Sequence, residues 1–323
     1  MDSMRVFSLW ASLVCFLSII SYAGGQNKIF TVTDYGAVAD GKTDSSQGFL
    51  NAWKGACATD GGVVAVPLGT FFVSGATFED YWILFDEIDR LTIFGNGTFY
   101  GNGESAWPHN QCDKTLGCKK PPTSIKFHNV RNSVVRGINS VNSKMFHLNL
   151  HKCENVLLKN VDIIAPVDSP NTDGIHIGKS NGIEITASRI STGDDCISIG
   201  DGSTNINITS VFCGPGQGIS IGSLGKYNNE EDVVGITVKN CTFSDTDNGL
   251  RVKTWAPSSM PVTVSTFTDH NVEDAVCPLA WRVRSWDQRC EVHKREGDFS
   301  NRSCSGCSMQ QGQAMPGHTV RGA

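Results

Sequence analysis

Charged and aromatic side chains are both scarce in this chain. Asp, Glu, Lys and Arg make up 18% of the 323 residues and aromatic residues 9%, whereas Gly is abundant with 34 residues. This composition favours an extracellular protein rich in strands and turns over a helical intracellular one. The formal net charge of −5 gives no global attraction to nucleic acid, so we expect no nucleic-acid partner. A site for an acidic polymer would need a local cluster of Lys and Arg.

Long hydrophobic runs are missing after residue 20. The mostly apolar run from Val6 to Ile20 follows Arg5 and precedes a small-residue cleavage site at residues 21–23, and it is short for a membrane span. We therefore predict a secretory signal peptide over residues 1–23, the alternative being a membrane anchor. We expect a secreted monomer with no membrane partner.

Motifs for metal binding are weak. The pair Cys304 and Cys307 has no His pair at ligand spacing for zinc, and no Asp-x-Asp-x-Asp-Gly calcium loop occurs. Twelve cysteines are present, and outside the cell most would be disulfide candidates, with Cys196 and Cys213 flanking one turn of the repeat described below. Secretion also fits the candidate glycosylation sites, which are Asn96, Asn207, Asn240 and Asn301.

A repeated hexamer carries the strongest signal. Residues 173–178 read Asp-Gly-Ile-His-Ile-Gly, residues 195–200 read Asp-Cys-Ile-Ser-Ile-Gly, and residues 217–222 read Gln-Gly-Ile-Ser-Ile-Gly, so that each copy begins 22 residues after the last. A looser copy follows at residues 248–253. Equal spacing of β-type segments indicates a coil that returns to the same place each turn.

The predicted fold class is all-β, with a parallel β-helix over residues 24–256. Short strands rich in Val and Ile, separated by turn residues, fit parallel coils better than hairpins. A helix is predicted over residues 44–58, capped by Asp44 or Ser45, and it would cover the open end of the coil. Its apolar face would consist of Phe49, Ala52, Trp53 and Ala56.

The repeat predicts where individual side chains lie. Asp173, Asp195 and Gln217 should stack in a column about 4.8 Å apart. The apolar positions Ile175/Ile177, Ile197/Ile199, Ile219/Ile221 and Leu250/Val252 should form ladders inside the coil. Alternation then directs outward His176, Ser198, Ser220, Arg251 and Lys253.

Three carboxyl groups would then share a small volume, those of Asp173, Asp194 and Asp195. Carboxyl groups so close together do not all ionise freely, so one should keep its proton while another is ionised. The cluster would thus supply both an acid and a base for cleaving a glycosidic bond. Two alternatives stay open, namely aspartates that only shape turns and a calcium site.

Two cations lie on the same predicted face. Arg251 and Lys253 would hold the carboxylates of a uronic-acid substrate, or form a solvated edge, or pair with the aspartates. An outward His176 on such a ladder is more often incidental than a ligand. Asn171 and Thr172 are expected to shape the turn before Asp173.

Four motifs give the chain a family resemblance. Residues 169–174 (Ser-Pro-Asn-Thr-Asp-Gly), 193–196 (Gly-Asp-Asp-Cys), 214–222 (Gly-Pro-Gly-Gln-Gly-Ile-Ser-Ile-Gly) and 251–253 (Arg-Val-Lys) resemble plant polygalacturonases, which are glycoside hydrolases of the pectinase group. The sequence of residues 223–230 most resembles that of the pollen-type exopolygalacturonases.

The resemblance implies a right-handed parallel β-helix and inverting, metal-free hydrolysis of α-1,4-linked galacturonan in the cell wall, without a cofactor. Asp194 would be the general acid, and Asp173 and Asp195 would hold and activate water. The substrate-binding residues would be Arg251 and Lys253, with Asn171 beside them.

The chain departs from the family pattern in three places. Gln217 stands where the family has His, and glutamine cannot carry a proton, so impaired activity is expected. Val252 replaces Ile, a minor change. Residues 257–323 lack the family's further coils: from His270 onward there is no Ile and one Leu.

We expect this tail to be atypical and poorly ordered, with one β-like run at residues 281–286. The competing hypotheses are a non-catalytic protein that binds cell-wall pectin and a chain that never folds stably.

Overall fold

A computed structural model gives the architecture. It describes residues 28–74, 80–110, 112 and 118–254, together with the backbone of residues 264–270, 273–274 and 301–304. The chain divides into two compact units, with the boundary between Ser74 and Gly75. The predicted signal peptide and the β-like run at residues 281–286 lie outside the described residues.

The first unit is built around one amphipathic helix. The α-helix Ser46–Cys57 lies within the predicted range, with Ser45 at its N-cap position. The Asp44 carboxylate accepts a hydrogen bond from the Ser46 backbone N–H at 3.0 Å, which satisfies a free donor of the first turn. On the predicted apolar face, Ala52 and Ala56 are buried in the unit's core and Phe49 packs against it.

Short parallel strands complete this unit. Ile29–Thr31 pairs with Val63–Ala65, and Asp40–Asp44 pairs with Thr70–Phe72. A 3-10 turn, Val32–Tyr35, connects the first two of these strands along the chain. That the helix covers the end of a coil stays a prediction.

The second unit consists of three long sheets whose strands are parallel except at one edge of sheet 2. Sheet 1 contains, in spatial order, Leu250–Thr254, Ile219–Leu224, Ile197–Ile199, Ile175–Gly178, Leu148–His151, Thr123–His128 and Tyr81–Asp86. Sheet 2 contains Asn301–Cys304, Val264–His270, Val233–Lys239, Thr204–Thr209, Asn181–Thr186, Glu154–Lys159, Arg131–Arg136 and Thr92–Phe94. Sheet 3 contains Glu273–Asp274, Thr242–Phe243, Phe212–Cys213, Arg189–Ser191, Asp162–Ile164, Asn139–Val141 and Thr98–Tyr100. Two 3-10 turns, Gly103–Ser105 and Trp107–His109, follow the strand Thr98–Tyr100.

Each coil passes once through each sheet, which confirms the parallel β-helix. In sheet 1 the register aligns Ile175 with Ile197, Ile197 with Ile219, and Ile219 with Leu250. The predicted inner positions are buried: all six isoleucines are 0% exposed, and Val252 at the last rung is 8% exposed. Burial of these aliphatic ladders is the main force that holds successive coils together.

Between sheets 2 and 3 five of the described coils turn at one residue in the left-handed conformation. The residues at this turn are Gly137, Asn160, Ala187, Ser210 and Asn240, with φ between 49° and 66°. The backbone N–H groups of the first four donate hydrogen bonds to the next coil, as from Asn160 to the Thr186 carbonyl at 3.2 Å. The same bend in these five coils keeps their strands aligned despite differing coil lengths.

Strand pairing continues past residue 256. Val264–His270 pairs in parallel with Val233–Lys239, and Glu273–Asp274 pairs with Thr242–Phe243. Asn301–Cys304 then pairs antiparallel with Val264–His270. The change in composition after residue 256 therefore does not mark the end of the strands. Among the described residues, no helix has both the length and the apolar character needed to span a membrane.

Candidate functional site

The site lies where the coil enters sheet 1. Asp173, Asp195 and Gln217 each come two residues before paired isoleucines, so the register aligns them in the expected column. Backbone hydrogen bonds join these turns directly, from the Gly174 N–H to the Asp195 carbonyl at 2.9 Å and from the Gln217 N–H to the Asp194 carbonyl at 2.8 Å.

Three carboxyl groups converge there. One oxygen each of Asp173, Asp194 and Asp195 lie within 4.8 Å of one another. The Asp194 carboxylate accepts a hydrogen bond from the Asp195 backbone N–H at 2.8 Å, which turns it toward the column. The structure thus brings together the aspartates that the sequence predicted to meet.

Asp195 is the counterion of both predicted substrate-binding cations. Its side chain is 1% exposed and its Oδ1 accepts hydrogen bonds from the Ser220 hydroxyl and from Arg251 Nη2, both at 2.6 Å. Lys253 Nζ lies 2.5 Å from its Oδ2. Of the three alternatives predicted for Arg251 and Lys253, the described residues show ion pairing to an aspartate. Both side chains remain partly exposed, at 15% and 27%, so each can still contact a bound molecule.

The two other carboxyl groups hold their protons more tightly than usual. Burial, followed by the negative charges of Asp194 and Asp195, raises the pKa of Asp173 well above its ordinary value. Burial and the charge of Asp195 raise the pKa of Asp194, while the hydrogen bond from the Asp195 N–H opposes that shift. One cluster therefore contains a carboxylate held by two cations and two carboxyl groups whose pKa values are raised.

Gln217 contacts the cationic side of the site. Its side-chain oxygen accepts a hydrogen bond from Arg251 Nη2 at 3.1 Å, and its backbone carbonyl accepts one from the Asn248 amide at 3.3 Å. Arg251 Nε also donates to the Ser220 hydroxyl at 2.9 Å. Gln217 thus helps to hold the guanidinium in place but brings no titratable group.

Sequence reasoning placed three further residues on this face but missed their contacts and their burial. Ser198 and Ser220 point away from the coil interior as expected, yet they are 2% and 0% exposed because neighbouring side chains cover them. His176 Nδ1 lies 2.8 Å from the Ser198 hydroxyl, and its ring stacks on Phe146 with 4.7 Å between centroids. A signal was present, since Ser occupies the fourth position in two consecutive copies of the repeat.

Other predicted residues lie outside this cluster. Asn171 is exposed, in the left-handed conformation at φ 53°, as suits the turn before Asp173. Cys196 and Cys213 form a disulfide inside the same coil, and Cys112 bonds to Cys118. Among the described cysteines, Cys57, Cys153 and Cys241 are free. Of the candidate glycosylation sites, Asn96, Asn207 and Asn240 are exposed, and the side chain of Asn301 lies outside the described part.

The three carboxyl oxygens could in principle bind a metal ion. Calcium needs six to eight oxygen ligands, however, and both oxygens of Asp195 already accept hydrogen bonds, one from the ammonium of Lys253. A metal ion would be repelled by the two cations already paired with Asp195, Arg251 and Lys253, so the surroundings of Asp195 favour acid–base chemistry. The absence of a metal stays a prediction.

Comparison with known proteins identifies close sequence relatives. An exopolygalacturonase of Platanus acerifolia is 45% identical over 306 residues, covering 83% of this chain and 80% of that protein. An exopolygalacturonase of Arabidopsis thaliana is also 45% identical, over 259 residues, and the chain spans only 61% of its length.

Solved structures share the fold at lower identity. An exopolygalacturonase from Thermotoga maritima matches with a TM-score of 0.59 and 21% identity, over 77% of this chain and 72% of that one. A family 28 exopolygalacturonase from Yersinia enterocolitica matches with a TM-score of 0.60 and 18% identity, over 80% of this chain and 60% of that one. The family model described as "Glycosyl hydrolases family 28" matches residues 42–280, so the chain belongs to this family.

Proposed function

We propose that this chain hydrolyses α-1,4-linked galacturonan, removing residues from a chain end, in the plant cell wall outside the cell. The observation that carries the proposal is the convergence of Asp173, Asp194 and Asp195 beside two partly exposed cations. The carboxyl groups supply the chemistry of glycosidic cleavage, and the cations suit a sugar that carries a carboxylate. The names of the relatives support the exo mode of action.

Asp194 is the proposed general acid. It is the most exposed of the three aspartates, being half-buried where the others are buried, so it can reach the leaving glycosidic oxygen. Its raised pKa keeps a proton available for transfer at mildly acidic pH.

Asp173 and Asp195 are the proposed residues that hold and activate water. Asp195 cannot readily attack the sugar itself, because protein donors occupy both of its oxygens and its side chain is 1% exposed. A neighbouring Asp173 that gives up its proton can accept one from a water molecule between them. This arrangement supports direct attack by water and hence inversion at the anomeric carbon.

Arg251 and Lys253 are the proposed binding residues for the carboxylate of the substrate. Both contact Asp195 from the strand Leu250–Thr254, two coils further along the chain, and each keeps part of its side chain exposed. A bound galacturonate would share the cations with Asp195, so that binding changes the electrostatic environment of the acid cluster. Substrate binding and catalysis are therefore coupled through one buried carboxylate.

The test is release of reducing ends from polygalacturonate by the full chain. Asp194→Asn should lower kcat by about 10²-fold or more, as expected for loss of a general acid. Asp162→Asn removes an exposed carboxylate on sheet 3 and serves as the matched control, with activity equal to wild type. Wild-type protein without activity, or an Asp194→Asn variant as active as wild type, would refute the assignment.

A second candidate function is pectin binding without turnover. Gln217 favours it, since a glutamine next to Arg251 keeps the cation in place without adding a proton carrier. Titration calorimetry with oligogalacturonate separates the two functions. Binding without turnover, even in Gln217→His, would favour this candidate, whereas no binding would exclude both.

A further inference from the structure

His176 and Ser198 form a hydrogen-bonded pair next to the acid cluster. They are register partners on adjacent strands of sheet 1, and 2.8 Å separates His176 Nδ1 from the Ser198 hydroxyl. Stacking on Phe146 holds the imidazole ring in this orientation. The pair is thus fixed by the sheet and by an aromatic neighbour.

The same serine hydroxyl faces Asp173. Ser198 is 2% exposed, and its interaction with the Asp173 carboxyl lowers the pKa of Asp173, against the upward effect of burial. A hydroxyl has one proton to donate. Ser198 therefore donates either to His176 or to Asp173, and the tautomer of His176 decides which.

We propose that His176 is a positioning residue whose Nδ1–H donates to Ser198, so that the Ser198 hydroxyl donates to the ionised Asp173. The inference rests on the proposed function for its catalytic consequence, because ionised Asp173 is the form that holds and activates water. The serine connects the two residues, and His176 needs no contact with the substrate.

Other charged groups face this pair. Burial lowers the pKa of His176 to about 4, with Lys253, His151 and Lys120 acting in the same direction and Asp195 opposing them. This shift favours the neutral imidazole near neutral pH, and the single N–H of a neutral imidazole can lie on Nδ1. Around Asp173, Asp194 and Asp195 raise the pKa of the carboxyl and Lys253 lowers it.

The first measurement is the pH profile of kcat on polygalacturonate. His176→Phe keeps an aromatic ring but removes the donor, and Ser198→Ala removes the connecting hydroxyl. Each should shift the acidic limb of the profile to higher pH by about 0.5–1 unit, the equivalent of one hydrogen bond. His176→Asn restores an N–H donor near the Nδ1 position and should return the limb toward wild type.

Ser188→Ala is the matched control for loss of a buried hydroxyl. Ser188 is 4% exposed and bonds to the backbone of Thr186 and Val161 at a turn of the coil. This variant should lose stability with an unchanged pH profile. If it shifts the limb as far as Ser198→Ala does, the effect is structural and the proposal fails.

The second measurement does not depend on activity. Nitrogen NMR of His176 should find the proton on Nδ1 at neutral pH, and a carbon NMR titration of the Asp173 carboxyl should give a higher pKa in Ser198→Ala. A proton on Nε2 with an unchanged Asp173 titration would overturn the inference even in an active enzyme. An intact relay in a chain that releases no reducing ends would instead count against the proposed function.

Discussion

At the scale of single residues, one amino-acid type has three different surroundings within a few ångströms. Asp195 is buried among a hydroxyl and two cations, Asp173 is buried beside two other carboxyls, and Asp194 is half-buried. In the proposed function, these differences in charge and burial separate the general acid Asp194 from Asp173 and Asp195, which hold water. The chemistry is thus set by the neighbours of each aspartate.

Gln217 provides a direct test of how much the site depends on one side chain. In Gln217→His, a neutral imidazole can still accept the hydrogen bond from Arg251, and it can also carry a proton toward the carboxyl cluster. We expect kcat on polygalacturonate to rise by about tenfold or more, since general acid–base groups contribute about 10²–10⁴-fold. Gln217→Asn, which shortens the amide without adding a proton carrier, is the control and should give no gain. An unchanged kcat in Gln217→His would mean that the glutamine does not limit catalysis.

The raised pKa of Asp173 also predicts a dependence of stability on pH. A carboxyl that holds its proton more tightly in the folded state stabilises the fold below its unfolded pKa, and this contribution is lost as pH rises through the folded pKa. Asp173→Asn cannot ionise, so relative to wild type it should gain stability between pH 3 and pH 8. The gain is about 1.4 kcal/mol for each unit by which the pKa is raised.

Urea unfolding of both proteins at the two pH values measures this difference. The comparison at pH 3 is the internal control, because both side chains are neutral there and the remaining difference reports packing alone. A variant that differs from wild type equally at pH 3 and pH 8 would contradict the assigned direction of the shift.

At the scale of strands and turns, regular spacing made part of the site predictable. Three copies of the hexamer at 22-residue intervals place Asp173, Asp195 and Gln217 on the same rung position, and the register agrees. The contacts of Asp195 with Arg251 and Lys253 were harder to predict from the sequence, because they span 56 and 58 residues and an insertion interrupts the regular spacing of the repeat. Alternation along a strand also predicts which way a side chain points but not how exposed it is, as the buried Ser198 and Ser220 illustrate.

Composition proved a weaker guide than pairing at the C-terminal side. We expected a poorly ordered tail after residue 256, with one β-like run at residues 281–286, and for the tail as a whole this stays a prediction. Val264–His270 nevertheless extends sheet 2 by pairing with Val233–Lys239. An existing strand presents a row of backbone donors and acceptors, so the next segment can pair with it without a strong apolar pattern. Strand formation thus depends on the pairing partner in the previous coil, which the local sequence pattern does not reveal.

The turns between sheets 2 and 3 give a prediction about stability. Ala187 has φ 49°, and an alanine in the left-handed region costs about 1–2 kcal/mol, part of which the greater chain entropy of glycine offsets. Ala187→Gly should therefore raise the free energy of unfolding by about 0.5–1 kcal/mol, measured by urea unfolding. Asn160→Gly at the same turn of the preceding coil is the control and should give a smaller gain, because Asn tolerates this conformation. A loss of stability in Ala187→Gly would mean that its methyl group contributes packing that outweighs the backbone strain.

At the scale of the whole molecule, local charge differs from net charge. The chain carries −5 overall, but the outer face of sheet 1 presents Arg251 and Lys253 beside the acid cluster. Long-range attraction therefore contributes little to capture of an acidic polymer, and short-range ion pairs must provide the binding. On the proposed function, galacturonan is therefore recognised at the coil that carries Arg251 and Lys253, next to the acid cluster.

The stereochemistry of the product tests the site as a whole. Carboxyl oxygens within 4.8 Å are nearer the separation of about 5–5.5 Å found in retaining glycosidases than that of about 6.5–9.5 Å in most inverting ones. Retention, however, needs a carboxylate free to bond to the sugar, and Asp195 has both oxygens occupied. We therefore expect inversion, so that proton NMR detects the β-anomer of galacturonate first and the α-anomer only after mutarotation. Exo action gives a second expected result: one short product accumulates from the start of the reaction, while the viscosity of the polygalacturonate solution falls slowly. Early appearance of the α-anomer would mean that a carboxylate of the cluster forms a covalent intermediate, and the water-holding roles of Asp173 and Asp195 would have to be reassigned.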